Sequence, residues 1–392
     1  MRAGPWFRLC ALGATAAVGL VVASGELGIA HRALVLVALP LLIALVVGSW
    51  FAHRPVVFAA GSALVFFLAA VATWWTPTLH VVLAALAVAA TAVATALLFR
   101  GERPGKVAWR DYLTLVKPRI MSLLLLTGGA GMFVGAQGFP DAMLFGETML
   151  GLALACGGAS ALNHMLDRDL DRSMKRTSMR PVAAGRVSPE LALEFGLALS
   201  ALSFVLLASA VNVLTASLAL VGNLFYVLVY TRLLKRSTPQ NIVIGGAAGA
   251  VPPLVGFAAA TGNLALPALF LFLIVFFWTP PHFWALALLI KRDYAAAKVP
   301  MLPVVRGDHE TARQVLLYTI VLVALTLVPV LTGTFGALYL AAAAILGGVF
   351  LHLAVKLLRS TTQPRAASLF HYSLAYLALL FVAMAIDPMV VL

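Results

Sequence analysis

An all-α polytopic membrane protein is what this sequence predicts, and three observations carry the prediction. Of 392 residues, 62% are hydrophobic and only 10% are charged, whereas a soluble domain is about half apolar and about a quarter charged. Mean hydropathy is +1.03. Apolar runs recur along nearly the whole chain, and at about 20 residues each is long enough to cross a bilayer as a helix. The runs do not alternate with period two, which argues against a barrel of strands. Backbone groups in hydrocarbon must also be satisfied within their own segment. A water-soluble enzyme, a disordered chain and a disulfide scaffold are excluded.

Taken in order, thirteen spans are expected, near 8–25, 33–52, 56–75, 79–99, 119–137, 145–166, 190–209, 212–231, 241–260, 265–286, 313–333, 336–357 and 367–387. Arg2 and Arg8 give the first run the look of a signal peptide. No small-x-small cleavage site follows it, so it reads as a span. The most polar linker among the early spans is 101–110, GERPGKVAWR. A boundary there divides a four-helix extension (1–105) from a nine-helix unit (106–392).

Lys and Arg outnumber Asp and Glu by 27 to 14, but their placement argues against nucleic acid. The basic residues sit in short loops (168–186, 232–236, 291–313 and 356–359), each two spans from the last. The opposite loops of the nine-helix unit, around 138–144, 210–212, 261–264 and 334–336, carry a lone Asp141 and no Lys or Arg. By the positive-inside bias the basic loops and the N-terminus face the cytoplasm, and the C-terminus faces outward. The expected location is the cell membrane. Cys10 and Cys156 lie in apolar runs without metal-like spacing and read as packing residues.

Three of the fourteen acids fall within five residues, in NHMLDRDLDRSMKRTSMRP (163–181). Asn163, Asp167 and Asp171 are spaced i, i+4, i+8 and share one helix face at the cytoplasmic end of a span; Asp169 points elsewhere. Two carboxylates one turn apart with an amide oxygen make a hard-oxygen site suited to Mg²⁺, which is typically held by carboxylates plus substrate phosphates. Lys175, Arg176 and Arg180 stand just beyond, where they can neutralise phosphate oxygens. The competing reading is a solvated helix end whose acids pair with neighbouring Arg. Ionisable groups at a membrane boundary are costly and usually functional, which favours the metal site. A second cluster at the same face holds Lys291, Arg292, Asp293, Tyr294 and Lys298. There Asp293 is a candidate ligand for a second Mg²⁺. Tyr294 and Lys298, i and i+4 if helical, are candidates for contact with a diphosphate. A stop-transfer charge cluster is the alternative.

These residues resemble the intramembrane aromatic prenyltransferase superfamily. The Asn163-xxx-Asp167-xxx-Asp171 motif is similar across it. The stretches 115–128 (LVKPRIMSLLLLTG), 230–259, 278–288 (WTPPHFWALAL) and 294–305 (YAAAKVPMLPVV) are similar to its haem O synthase branch. The resemblance covers about 109–390. It implies a nine-helix intramembrane prenyltransferase bundle and farnesyl transfer from farnesyl diphosphate to the 2-vinyl group of protohaem IX (haem b), making haem O for terminal-oxidase assembly. It implies Mg²⁺ on Asn163, Asp167, Asp171 and Asp293, and substrate contacts from Lys117, Arg119, Arg176, Arg180 and Lys235. It also implies haem contacts from His164 and His282, each otherwise a hydrogen-bonded helix histidine. A prenyltransferase for a quinone or chlorophyll precursor is the alternative. Where the wider superfamily has a second paired carboxylate, this chain has Ala297, four residues after Asp293. Trp278, Phe283, Trp284, Tyr226 and Tyr230 would screen a cation by cation–π contact or serve as an interfacial aromatic belt.

The extension resembles one four-helix half of haem A synthase, through 25–55 and 73–93. This implies a haem ligand pair, His31 and His80, hence a second haem, and haem A synthase as a partner; the alternatives are a unit that receives the product or one that only packs. Both histidines fall on the outer side by the topology above, and His53 does not.

Overall fold

The computed structural model describes residues 107–390 without a break, together with 11–15, 17–18, 21, 29–49, 54–72 and 77–98. The described residues contain helices and no strands. In chain order these are α1 (Ile29–Ser49), α2 (Arg54–Ala72), α3 (Pro77–Leu98), α4 (Trp109–Leu115), α5 (Pro118–Ala136), α6 (Ala142–Leu166), α7 (Arg168–Ser173), α8 (Pro189–Ala210) and α9 (Val213–Leu224). A π-helical segment, Phe225–Leu234, continues α9. Then come α10 (Asn241–Thr261), α11 (Leu266–Leu289), α12 (Lys291–Ala296), α13 (Leu302–Val305), α14 (Gly307–Leu331), α15 (Ala337–Arg359) and α16 (Gln363–Ile386).

Among the described residues nine helices are long and apolar enough to cross a membrane: α5, α6, α8, α9 with its π extension, α10, α11, α14, α15 and α16. They are the nine expected from 119 onward. The first span and the 101–106 linker lie partly or wholly outside the described residues, so the fourfold count of the extension and its boundary rest on sequence. α1, α2 and α3 form a separate apolar cluster that includes Val205 of α8.

Local chemistry sets the ends. Ser188 accepts from the Leu191 amide at 3.2 Å ahead of Pro189, Asp141 from Leu144 at 2.9 Å, and Asn212 from Thr215 at 2.8 Å, each quenching an orphan N–H of a first turn. α14 begins at Gly307, six residues before the sequence reading of 313. Its polar first turns hid the start. Gly307 turns the chain at φ +81°, and Asp308 and Glu310 suit the positive end of the helix dipole.

Without a hydrophobic drive between helices in lipid, close backbone approach and interhelical hydrogen bonds hold the bundle. α5 and α10 meet backbone to backbone: a Cβ at Gly256 would land on the Gly128 carbonyl oxygen, and one at Gly131 on that of Pro253. α6 and α8 cross at Gly158 and Gly196. Ser203 donates to the Gly151 carbonyl at 2.6 Å, and Asn223 to that of Ala155 at 3.1 Å. α11, α15 and α16 bury Trp284, Tyr339, Phe350, Tyr376 and Phe381.

Gly256→Ala should therefore force α5 and α10 apart and lower stability by about 1–3 kcal/mol. Gly249→Ala on the same helix, where nothing lies within 4 Å of the added carbon, should be neutral. Thermal unfolding of the purified protein in detergent checks the pair.

Candidate active site

The helix face read from the sequence survives the end of its helix. α6 stops at Leu166, yet the Asp167 amide still donates to the Asn163 carbonyl (2.9 Å) and the Asp171 amide to that of Asp167 (2.7 Å). Asn163, Asp167 and Asp171 are 3%, 0% and 2% exposed. Asp169 points away and pairs with Arg168 and Arg172.

Three cations close on the two acids, and a fourth on Asn163. Lys235 donates to Asp167 Oδ2, and Arg180 Nη1 contacts both oxygens of Asp171 at 2.9 Å. Lys117 Nζ donates to Asn163 Oδ1 at 2.8 Å, and the Asn163 amide nitrogen donates to Asp167 Oδ2 at 2.7 Å. Arg236 stands 4.0 Å from Asp167 Oδ1. Buried charges need such partners, because desolvation costs several kcal/mol per ion. Four cations against two carboxylates leave the cluster net positive, suited to a polyanion. Burial and the like charges of Arg180 and Lys235 push the Lys117 ammonium down to about 7. An arriving anion would oppose that shift.

Two backbone features aim these groups. Lys117, before Pro118, is left-handed at φ +50°, a sparsely populated conformation for a residue with a Cβ. The Phe225–Leu234 segment runs in i to i+5 register, a form that recurs at functional sites. The Lys235 amide donates to the Tyr230 carbonyl and Thr231 Oγ1 to that of Tyr226, both at 2.9 Å. Thr231 also accepts from Asn163 at 3.1 Å. The Tyr226 and Tyr230 rings stack 5.6 Å apart.

The second cluster joins the first. Asp293 Oδ2 accepts from the Arg176 backbone amide at 3.2 Å, linking the 168–186 and 291–313 loops. Tyr294 is buried, and burial raises its hydroxyl pKa even though Arg176 and Arg180 pull it down. The helical i, i+4 relation of Tyr294 and Lys298 is not realised. α12 ends at Ala296, and Lys298 sits exposed at φ +54°. There the Val299 amide returns to the Tyr294 carbonyl and the Lys298 amide to that of Ala295, a Schellman-type stop. Arg119 is exposed at the start of α5 and makes no ion pair among the described residues.

The histidines differ. His164 is 1% exposed beside Asn163, and neither ring nitrogen has a partner. His282 is a packed core residue. It stacks on Trp278 and Phe370 at 4.4 and 4.8 Å, and Nδ1 meets Ser373 Oγ at 2.7 Å. The side chains of His31 and His80 lie outside the described residues. Thr231 and Arg236 were not foreseen. Their signal is a π-helical register that apolar periodicity does not carry.

The donor set fits Mg²⁺. Asp167 Oδ1 is buried without a hydrogen-bond partner, with the Arg236 guanidinium 4.0 Å away. No group of three or more His, Cys, Asp or Glu converges among the described residues, so a cation held here would need phosphate oxygens or water to complete its shell.

Removing one partner of a buried pair strands the other. Arg180→Met should destabilise by about 3 kcal/mol, and Asp171→Asn added to it should recover most of the loss. A double-mutant cycle on thermal unfolding reads the coupling.

A family model described as the UbiA prenyltransferase family matches residues 124–382. Curated relatives named protoheme IX farnesyltransferase are 53% identical over 281 residues in Roseiflexus sp. strain RS-1, 48% over 328 in Thermus thermophilus and 54% over 280 in Symbiobacterium thermophilum. These alignments cover 72%, 80% and 71% of this chain. The chain spans about half the length of the first two relatives (53% and 54%) and 94% of the third. Among solved structures, digeranylgeranylglyceryl phosphate synthase is similar over 71% of this chain and 98% of its own, with a TM-score of 0.61 at 19% identity. A UbiA homolog from Archaeoglobus fulgidus bound to DMAPP and Mg²⁺ is similar over 70% and 99%, with a TM-score of 0.51 at 18% identity. At such identities these structures bear on fold alone. With its nine spans and its acid motif at a helix end, the chain belongs to the UbiA prenyltransferase family.

Proposed function

We propose that the protein transfers the farnesyl group of farnesyl diphosphate to the 2-vinyl group of protohaem IX, making haem O. The observation that carries the transfer chemistry is the buried Asn163–Asp167–Asp171 face, where a carboxylate oxygen without a partner meets an excess of cations. The choice of haem is supported by relatives of about 50% identity named protoheme IX farnesyltransferase.

Mg²⁺ held by Asn163, Asp167 and Asp171, with Asp293 beside the loop that carries Arg176, would supply a Lewis acid for the diphosphate oxygens. Lys117, Arg180 and Lys235 stabilise the charge that gathers on diphosphate as the allylic C–O bond breaks. Tyr226 and Tyr230 border the cluster, where an aromatic ring would stabilise an allylic cation. The haem vinyl group attacks that cation. Water adds to the carbon left electron-poor and loses a proton, giving a hydroxyethylfarnesyl side chain.

The basic loops 168–186, 232–236 and 291–313, joined by these contacts, face the cytoplasm of a cell membrane under the positive-inside bias, with the N-terminus on that side and the C-terminus outside. The extension, 1–105, is read as a unit that binds a second haem through His31 and His80 and meets haem A synthase. Its support is the sequence resemblance. The Thermus alignment also covers more of the chain than the nine-span unit supplies.

Membranes carrying the protein, given protohaem, farnesyl diphosphate and Mg²⁺, should yield hydroxyethylfarnesyl haem by mass spectrometry. EDTA should abolish the product, and Asp167→Ala should lower it by at least about a hundredfold, the scale of losing one preorganised electrostatic group. Undiminished product from Asp167→Ala would refute the assignment of the site. A farnesylated quinone precursor in place of haem would refute the acceptor.

A further inference from the structure

Apart from the acid face, a cavity of about 490 Å³ opens between the loop after Lys235 and the start of α14, a volume within the usual range of small-molecule sites, about 300–1,000 Å³. Gln240 lines it from that loop. Arg306, Glu310, Arg313, Gln314 and Tyr318 line it from α14 and the residue just before it. Arg306 and Arg313 are exposed, and Tyr318 is half-buried. The Arg306 guanidinium has no ion pair or hydrogen bond among the described residues. Glu310 lies 3.4 Å from Arg313 and accepts from Gln314 at 2.8 Å. One carboxylate against two guanidiniums leaves the lining net positive, with one guanidinium unclaimed.

The lining follows one face of a helix. Positions 306, 310, 314 and 318 are spaced by four and 313 lies three beyond 310, so they stack along α14 over about 18 Å. Leu317 and Val321 fall on the same face and are 44% and 46% exposed. Along this face the residues change from charged (Arg306, Glu310, Arg313) to uncharged polar (Gln314, Tyr318) to apolar. α14 is one of the nine spans, so its exposed apolar part lies against hydrocarbon. A soluble anion would use the guanidiniums and leave the rest of the face bare. A phospholipid matches the whole of it. Its phosphate suits arginine, which binds phosphate oxygens bidentately. Its glycerol esters would lie beside Gln314 and Tyr318, and an acyl chain on Leu317 and Val321. The net positive lining selects a headgroup of net negative charge. We propose that this cavity is a site for one anionic phospholipid, seated with its phosphate on Arg306 and Arg313. Through Gln240, a lipid held there joins the loop ahead of α10 to the head of α14.

The test is lipid retention by the full chain, extracted in mild detergent from vesicles of equal phosphatidylglycerol and phosphatidylcholine and read by native mass spectrometry. Phosphatidylglycerol should be retained about tenfold over phosphatidylcholine, the scale of one or two arginines beside an anionic headgroup. Arg306→Gln/Arg313→Gln should abolish that preference. Lys356→Gln/Arg359→Gln, which removes two exposed cations from the end of α15, should leave it intact. Inorganic phosphate at millimolar concentration should not displace the lipid. The comparison of the two lipids uses the unsubstituted chain, so it stands even where the arginine variant fails to fold. Equal retention of both lipids would overturn the proposal. An equal loss from the two double substitutions would overturn it in favour of diffuse attraction to the basic loops. Displacement of the lipid by inorganic phosphate would overturn it in favour of a soluble-anion site.

Discussion

Asp167 is fully buried at the point where a transmembrane helix ends, and the charged end of the molecule is organised around it. A carboxylate removed from water costs several kcal/mol unless cations and donors surround it. Its partners come from separate parts of the chain: Lys235 from the end of the π-helical segment, Asn163 from the last turn of α6, and Lys117, through Asn163, from the entry to α5. Satisfying that one charge brings three spans together at the same end. Arg180 does the same for Asp171 and ties down the loop that follows it. Stability and function draw on the same contacts, since the cations that make the acids tolerable are those an incoming diphosphate would meet.

The opposite end is built differently. There Asp387 accepts from the backbone amides of Gly336 and Tyr339, capping the start of α15 with the residue that follows α16. An acid is favourable at a helix N-terminus, and this one has no cation among its partners. One end of the bundle therefore carries a cation-rich cluster set up for a ligand, and the other a closed cap. Between them, the glycine crossings of α5 with α10 and of α6 with α8 hold backbones close enough that helix ends keep their positions, which suits a site assembled from several helix termini.

Much of this was legible in the residues. Apolar runs of bilayer length gave the nine spans to within six residues at either end, because a segment in lipid must satisfy its own backbone. The i, i+4, i+8 spacing placed Asn163, Asp167 and Asp171 on one face, because helical register extends a turn beyond α6. Other features depend on the backbone leaving that register. The π-helical run that aims Thr231 and Lys235 has the same apolar composition as an α-helix. The turn at Lys298 breaks the expected pairing with Tyr294, although its only sequence sign is Pro300 two residues on. His164 and His282 look alike in sequence, and only their neighbours separate a ring with no partner from one stacked and hydrogen-bonded.

By itself, then, the sequence determined the environment, the number of spans in the nine-helix unit and the chemistry of the acid face, all properties of local composition and period. Tertiary structure alone decided which cation meets which acid, and that Asp293 reaches the loop after Asp171. It also decided that Gln240, Arg306 and Arg313 share a cavity. Those contacts join positions up to 117 residues apart, and no local pattern specifies them. They follow from how the helices pack.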